Sequence, residues 1–127
     1  MTNLDLIWNR AADGKGTGDG DVALAAALLV HGMVMNGGAL NAVETIDAED
    51  LADGKEGFRW LGLEQVADLF TRIEAEAAEI DHDDEEARDD LEVQADDDYY
   101  ALLPDDAALE EAFTARHAEE PDAFDAL

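Results

Sequence analysis

The side chains that could do chemistry crowd into one stretch. Residues 81–98 (DHDDEEARDDLEVQADDD) hold 11 carboxylates. Carboxylates at such density suggest a cation loop first. An EF-hand loop starting at Asp81 would take Asp83, Glu85, Asp89 and Glu92 as further ligands, but it puts Glu86 where the sharp turn needs glycine. Arg88 would also occupy a position usually filled by an apolar residue. The run therefore reads as a solvated charge run rather than a calcium loop. The histidines His31, His82 and His117 are scattered, and no HExxH is present, so no metal centre is expected. His82 and Glu86 stand at i, i+4, which is one pair and no site. The chain has neither Cys nor Ser, which removes thiol chemistry and every Ser-based triad. Gly14, Gly16, Gly18 and Gly20 are not a phosphate loop, because no GK[ST] follows them. Carboxylate catalysis needs one acid in an apolar pocket with a shifted pKa, and nothing in the sequence singles one out. No enzymatic activity and no cofactor are expected.

What remains for the carboxylates is docking. The chain of 127 residues carries a net charge of −27. Phosphates would be repelled, which excludes direct nucleic-acid binding, and an anionic membrane surface is disfavoured for the same reason. B-DNA presents one charge per ~1.7 Å of axis. Helical neighbours three or four apart stand ~5–6 Å from each other. A row of carboxylates on a rigid helix can thus imitate phosphates for a basic protein, such as a DNA-binding protein. The expected contacts are Asp81, Asp83, Asp84, Glu85, Glu86, Asp89 and Asp90, then Asp96, Asp97 and Asp98, with Glu110 and Glu111. The separations Glu86–Asp90 and Asp106–Glu110 supply the spacing where those segments are helical. Two other readings compete. One is an immunity or antitoxin protein that neutralises a basic nuclease. The other is a housekeeping domain from a salt-loving or high-GC organism, whose acidity only keeps it soluble.

The elements that must position these groups are all helical. The acids are unevenly spread: residues 81–127 hold 19 acids and 2 bases, residues 1–80 hold 15 and 5. Leu, Ile, Val and Phe number 29, just above the ~20% level below which such charge predicts disorder. A modest core is therefore possible, built mostly from the first 80 residues. Leu4, Ile7 and Trp8 predict a short first helix within residues 1–12. The glycine-rich stretch 13–20 is a loop, and Asp19 or Asp21 can cap the next helix. That helix, about Val22 to Met35, is apolar on nearly all sides and reads as a buried central helix, too short for the ~20 residues a bilayer needs. Asn36-Gly37-Gly38 ends it, and Asn36 is expected to satisfy backbone groups at that junction. A short helix follows from Ala39 to Ile46. Another turn capped by Asp47 is expected to close at Asp53-Gly54. Leu63, Val66, Phe70, Ile73, Ala77 and Ile80 form an apolar stripe, with Asp68 and Arg72 paired at i, i+4. Asp83 to Leu91 is a helix or a mobile acidic loop. Tyr99 to Leu103 returns to the core, and a last helix runs from Pro104 or Asp105 to about Ala118. Phe124 and Leu127 are expected to dock the end. The expectation is one all-α domain over 1–127. The N-terminal segment shows no signal-peptide pattern, so a cytoplasmic protein is expected.

An ordered set of segments resembles a known family. They are Leu4 to Ala11 (LDLIWNRA), Val34 to Gly38 (VMNGG), Gly62 to Ala67 (GLEQVA), Asp98 to Leu102 (DYYAL) and Glu120 to Phe124 (EPDAF). The chain resembles a small all-helical bacterial family whose founding example is a DNA-mimic protein. It departs from the family in having Ala39, not an aromatic, after Asn-Gly-Gly. The resemblance implies one compact helical domain, able to form a homodimer. For the founding member it implies a non-enzymatic role: occupying the DNA-binding face of a regulator.

Overall fold

A computed structural model describes residues 2–81 and 83–127, so His82 and its pairing with Glu86 lie outside the described residues. Seven α-helices and a 3-10 turn account for the regular structure, and no strand occurs among the described residues. The expected all-α class is the observed one.

Helix α1 (Asn3–Ala12) opens on a reciprocal cap. The Asp5 amide donates to Thr2 Oγ1 at 3.1 Å and the Thr2 amide donates to Asp5 Oδ2 at 3.0 Å. Helix α2 (Asp19–Gly37) is longer than its sequence suggests. By length and composition α2 could cross a bilayer, yet 44% of its apolar window is buried within the bundle. Leu24, Ala27, Val30, His31 and Val34 face inward. Val22, Leu29 and Met35 are exposed, so α2 is central but not enclosed on all sides. Gly38 ends it at φ +93°, a backbone setting that glycine tolerates. Helix α3 (Ala39–Thr45) starts there.

Helix α4 (Ala48–Trp60) corrects the sequence reading most clearly. Asp53-Gly54 does not close a short turn; the helix runs straight through it. Gly54 and Gly57 are buried where α4 lies against α2. A Cβ on Gly54 would overlap the Val30 side chain, and one on Gly57 would overlap the Ala23 carbonyl. Both glycines are therefore contact points between helices. Tertiary packing has overridden their weak helix propensity.

Helix α5 (Glu64–Glu79) buries Val66, Phe70 and Ile73 of the expected stripe. Arg72 does not pair with Asp68. It reaches across to Asp98 and lies 3.8 Å from Glu76, while Asp68 lies 3.6 Å from Arg59. Helix α6 (Glu85–Leu102) is one continuous helix, not a loop followed by a return. Helix α7 (Asp106–Glu119) is capped by Asp105, whose Oδ1 accepts from the Ala108 amide at 3.1 Å. The 3-10 turn Pro121–Ala123 follows.

In the assembled bundle α2 packs on α1, α3 and α4, and α5 and α6 close the far side against α3 and α4. Tyr99, Phe58, Phe70 and Phe113 are its largest fully buried side chains. The C-terminus is clasped. Phe124 is buried beside Trp60, Phe113 and His117 at 5.7, 5.5 and 5.2 Å between ring centroids. A Cβ on Gly20, in the first turn of α2, would stand 2.6 Å from the Phe124 ring, so this glycine leaves room for the tail. Leu127 takes no part in the docking and is exposed.

Candidate docking surface

The acidic run is organised by three inward positions. Leu91, Ala95 and Tyr99 recur every four residues and bury one face of α6. Glu86, Asp89, Asp90 and Asp97 are exposed on the opposite side. With ~1.5 Å rise per residue, Glu86 to Asp97 spans about 16 Å. Val93 interrupts the row and is itself exposed. The single base of α6, Arg88, turns away to make a two-nitrogen contact with Glu44 of α3. Those hydrogen bonds push Arg88 above its ordinary pKa. The outward row therefore has no cation within its own helix.

The remaining expected contacts separate by role. Asp84 is the N-cap of α6, its Oδ1 accepting from the Ala87 amide at 3.0 Å. Asp81 Oδ1 accepts from the Asp83 amide at 3.1 Å, and both residues are exposed, as is Glu85. Asp96 is half-buried and receives the Ala39 amide at 2.8 Å. It, and not the exposed Asn36, satisfies the backbone at the α2–α3 junction. Asp98 is half-buried between Arg72 and Gln94. Of this trio only Asp97 points freely to solvent. Glu110 and Glu111 are an exposed pair on α7, a separate element.

Asp106, expected to extend a row with Glu110, is engaged elsewhere. Its Oδ1 lies 2.7 Å from His31 Nε2, and His31 Nδ1 lies 2.6 Å from the Tyr99 hydroxyl. Burial pushes the Tyr99 phenol far above its ordinary value, so the proton stays on it. The Tyr99 hydroxyl and Nδ1 share a hydrogen bond, and Nε2–H donates to the Asp106 carboxylate, which can only accept. His31 is thus a buried histidine with both ring nitrogens satisfied. Its exit to an exposed carboxylate on α7 is new.

The most buried carboxylate, Asp21, stood out in the sequence only as a candidate helix cap. Asp21 is fully buried and caps α2 from its third position, where its side chain accepts the amide of the N-cap residue Gly18. Its Oδ1 accepts from Arg10 at 2.7 Å, and its Oδ2 accepts the Asp125 amide at 2.6 Å and the Gly18 amide at 3.3 Å. A charged residue at the start of an otherwise apolar helix was the available signal. Its partners, at the two ends of the chain, were not.

A sequence profile described as DMP19-like protein matches residues 19–126. The chain belongs to the DMP19-like family. The match covers α2 through the C-terminal clasp and leaves out α1, so the segment Leu4 to Ala11 falls outside it. The segments at Val34, Gly62, Asp98 and Glu120 fall within it. Neither a curated protein nor a solved structure matches the chain. The α6 row belongs to the matched region, whereas the Asp21 clasp straddles its edge, because Arg10 and Gly18 precede residue 19.

Proposed function

We propose that this DMP19-like protein is a non-enzymatic binding module that works in the cytoplasm. It occupies the basic DNA-binding surface of a regulator or other nucleic-acid-binding protein, in the manner of a DNA mimic. The observation that carries this reading is the outward row Glu86, Asp89, Asp90 and Asp97, held on a packed helix with its only base turned away. Carboxylates fixed on a rigid scaffold lose little freedom on binding and hold their charges in a fixed arrangement. They also steer a cationic partner at a salt-dependent rate.

A low-salt pull-down identifies the partner, and a gel shift across a salt series then measures competition with its DNA. The wild-type protein should release the DNA at low salt and lose that ability as salt rises. The variant Glu86→Gln/Asp90→Asn/Asp97→Asn should compete at least ~10-fold less well, given coupling energies of about 1.5 kcal/mol and upward for close interfacial charge pairs. Equal competition by wild type and variant would sink the proposal.

One observation favours a second reading. Exposed acids also line α4 and α5, for example Glu49, Asp50, Glu56, Asp68 and Glu76. Charge on several helices is what a salt-adapted housekeeping domain would show. Folding that requires molar salt, with no competition at any salt, would support that reading.

A further inference from the structure

Exposed apolar side chains of α2 are conspicuous on a chain of net charge −27. Val22, Leu29 and Met35 are 55%, 50% and 43% exposed. Leu29 and Met35 line an open groove of about 680 Å³. Its floor also includes Ala25 and Gly32, and Trp8 of α1 forms one wall. A Cβ on Gly32 would meet nothing within 4 Å, so the floor is open to an incoming side chain at mid-length. Three carboxylates line the same groove: Asp50 and Asp53 from α4, and Asp106 from the first turn of α7. Asp106 keeps 74% of its side chain in solvent while it holds His31.

We infer that this groove docks an amphipathic helix with an apolar stripe and flanking lysines or arginines, supplied by a partner protein. The floor from Ala25 to Met35 is about 15 Å long, which suits two to three turns of a docked helix. Such helices anchor through apolar residues at i, i+3 or i+4, and i+7. Leu29, Met35 and Trp8 provide apolar and deformable contacts for those anchors. The carboxylates stand on walls from two different elements, where they meet the flanking cations. Charge complementarity selects a basic occupant. A second copy of this chain would bring its own Asp50, Asp53 and Asp106 to the same surface. The groove is distinct from the α6 row, and the two inferences stand or fall separately.

The test uses a fluorescent helical peptide of about 18 residues, with leucines at i, i+3, i+4 and i+7 and lysines elsewhere. A scrambled peptide of identical composition is the control. The helical peptide should bind at least ~10-fold tighter than the scrambled one, since one lost apolar anchor is worth about 1.4 kcal/mol or more. Amide NMR shifts should centre on Ala25–Asn36, Asp50–Asp53 and Asp106. Leu29→Gln, a half-exposed position, should abolish the difference between peptides, and Asp53→Asn should weaken the helical peptide. Glu86→Gln/Asp90→Asn/Asp97→Asn should leave that difference intact. Equal binding of both peptides, or shifts confined to α6, would overturn the inference. So would a dimer of the free protein that Leu29→Gln converts to a monomer, because a second copy would then fill the groove.

Discussion

Asp21 and Arg10 form the one ion pair among the described residues whose carboxylate is fully buried. Arg10 also donates to the Asp125 carbonyl at 3.0 Å, so this pair ties α1 and α2 to the tail. Asp21→Asn keeps the shape and removes the charge, leaving a mostly buried guanidinium without its counterion. The expected loss is about 3 kcal/mol, read from the urea midpoint. Asp125 supplies a pH-dependent part of the same clasp. The Thr17 amide, at 2.7 Å, chiefly holds its carboxyl below the ordinary value, with the Thr17 hydroxyl and Arg10 helping. A carboxyl lowered on folding stabilises fully above its unfolded pKa of about 3.9, and that contribution disappears as pH falls through the folded value. The stability gap between wild type and Asp125→Asn should therefore be constant above about pH 5 and close progressively below about pH 4. A gap that widened in acid would contradict this assignment. At this scale the sequence was least informative. Asp21, Asp96 and Asp106 look like every other acid in a chain with 34 of them. Their most distant hydrogen-bond partners lie 104, 57 and 75 positions away in the chain.

At the scale of elements, apolar periodicity was a sound guide wherever it was undiluted. The stripe of α5 emerged as expected because Val66, Phe70 and Ile73 needed only a helix to share a face. Helices α4 and α6 were harder for opposite reasons. In α6 the buried positions Leu91, Ala95 and Tyr99 are sparse among acids, so a mobile loop and a helix looked alike. In α4 two glycines looked like a stop signal. Their role depends on α2 lying against them, which no local window contains. Gly57→Ala tests that role. Intrinsic propensity alone would stabilise α4 by about 1 kcal/mol. The added methyl instead meets the Ala23 carbonyl, and overpacking of this kind costs roughly 1–3 kcal/mol or more. Net destabilisation by thermal melting is the expected result. Stabilisation would show that α2 and α4 are not held so close.

For the whole molecule, seven bases serve 34 acids, and the bases stitch helices together. Lys55 pairs with Glu74, Arg72 with Asp98, Arg88 with Glu44, and Arg116 lies 4.8 Å over the Trp60 ring as well as beside Glu119. The acids left over repel one another, and salt relieves that repulsion as the Debye length falls from about 10 Å at 0.1 M to about 3 Å at 1 M. Stability should thus rise with salt. A gain of about 1 kcal/mol would lift the melting temperature by roughly 4 °C, measurable by calorimetry. Neutralising Glu86, Asp90 and Asp97 should flatten that salt dependence, so a row kept for docking is kept at some expense of stability. A melting temperature indifferent to salt would mean that the repulsion is already compensated. Composition and periodicity by themselves determined that the chain is helical, acidic toward its C-terminal part, and built around an apolar second helix. Those properties depend on side-chain type and on neighbours three or four positions away. Tertiary structure alone decided which carboxylate is buried, which ones pair with other helices, which face solvent, and which part of α2 stays uncovered. Each of those outcomes depends on a partner far along the chain, and carboxylates of one chemistry become distinguishable only through their partners.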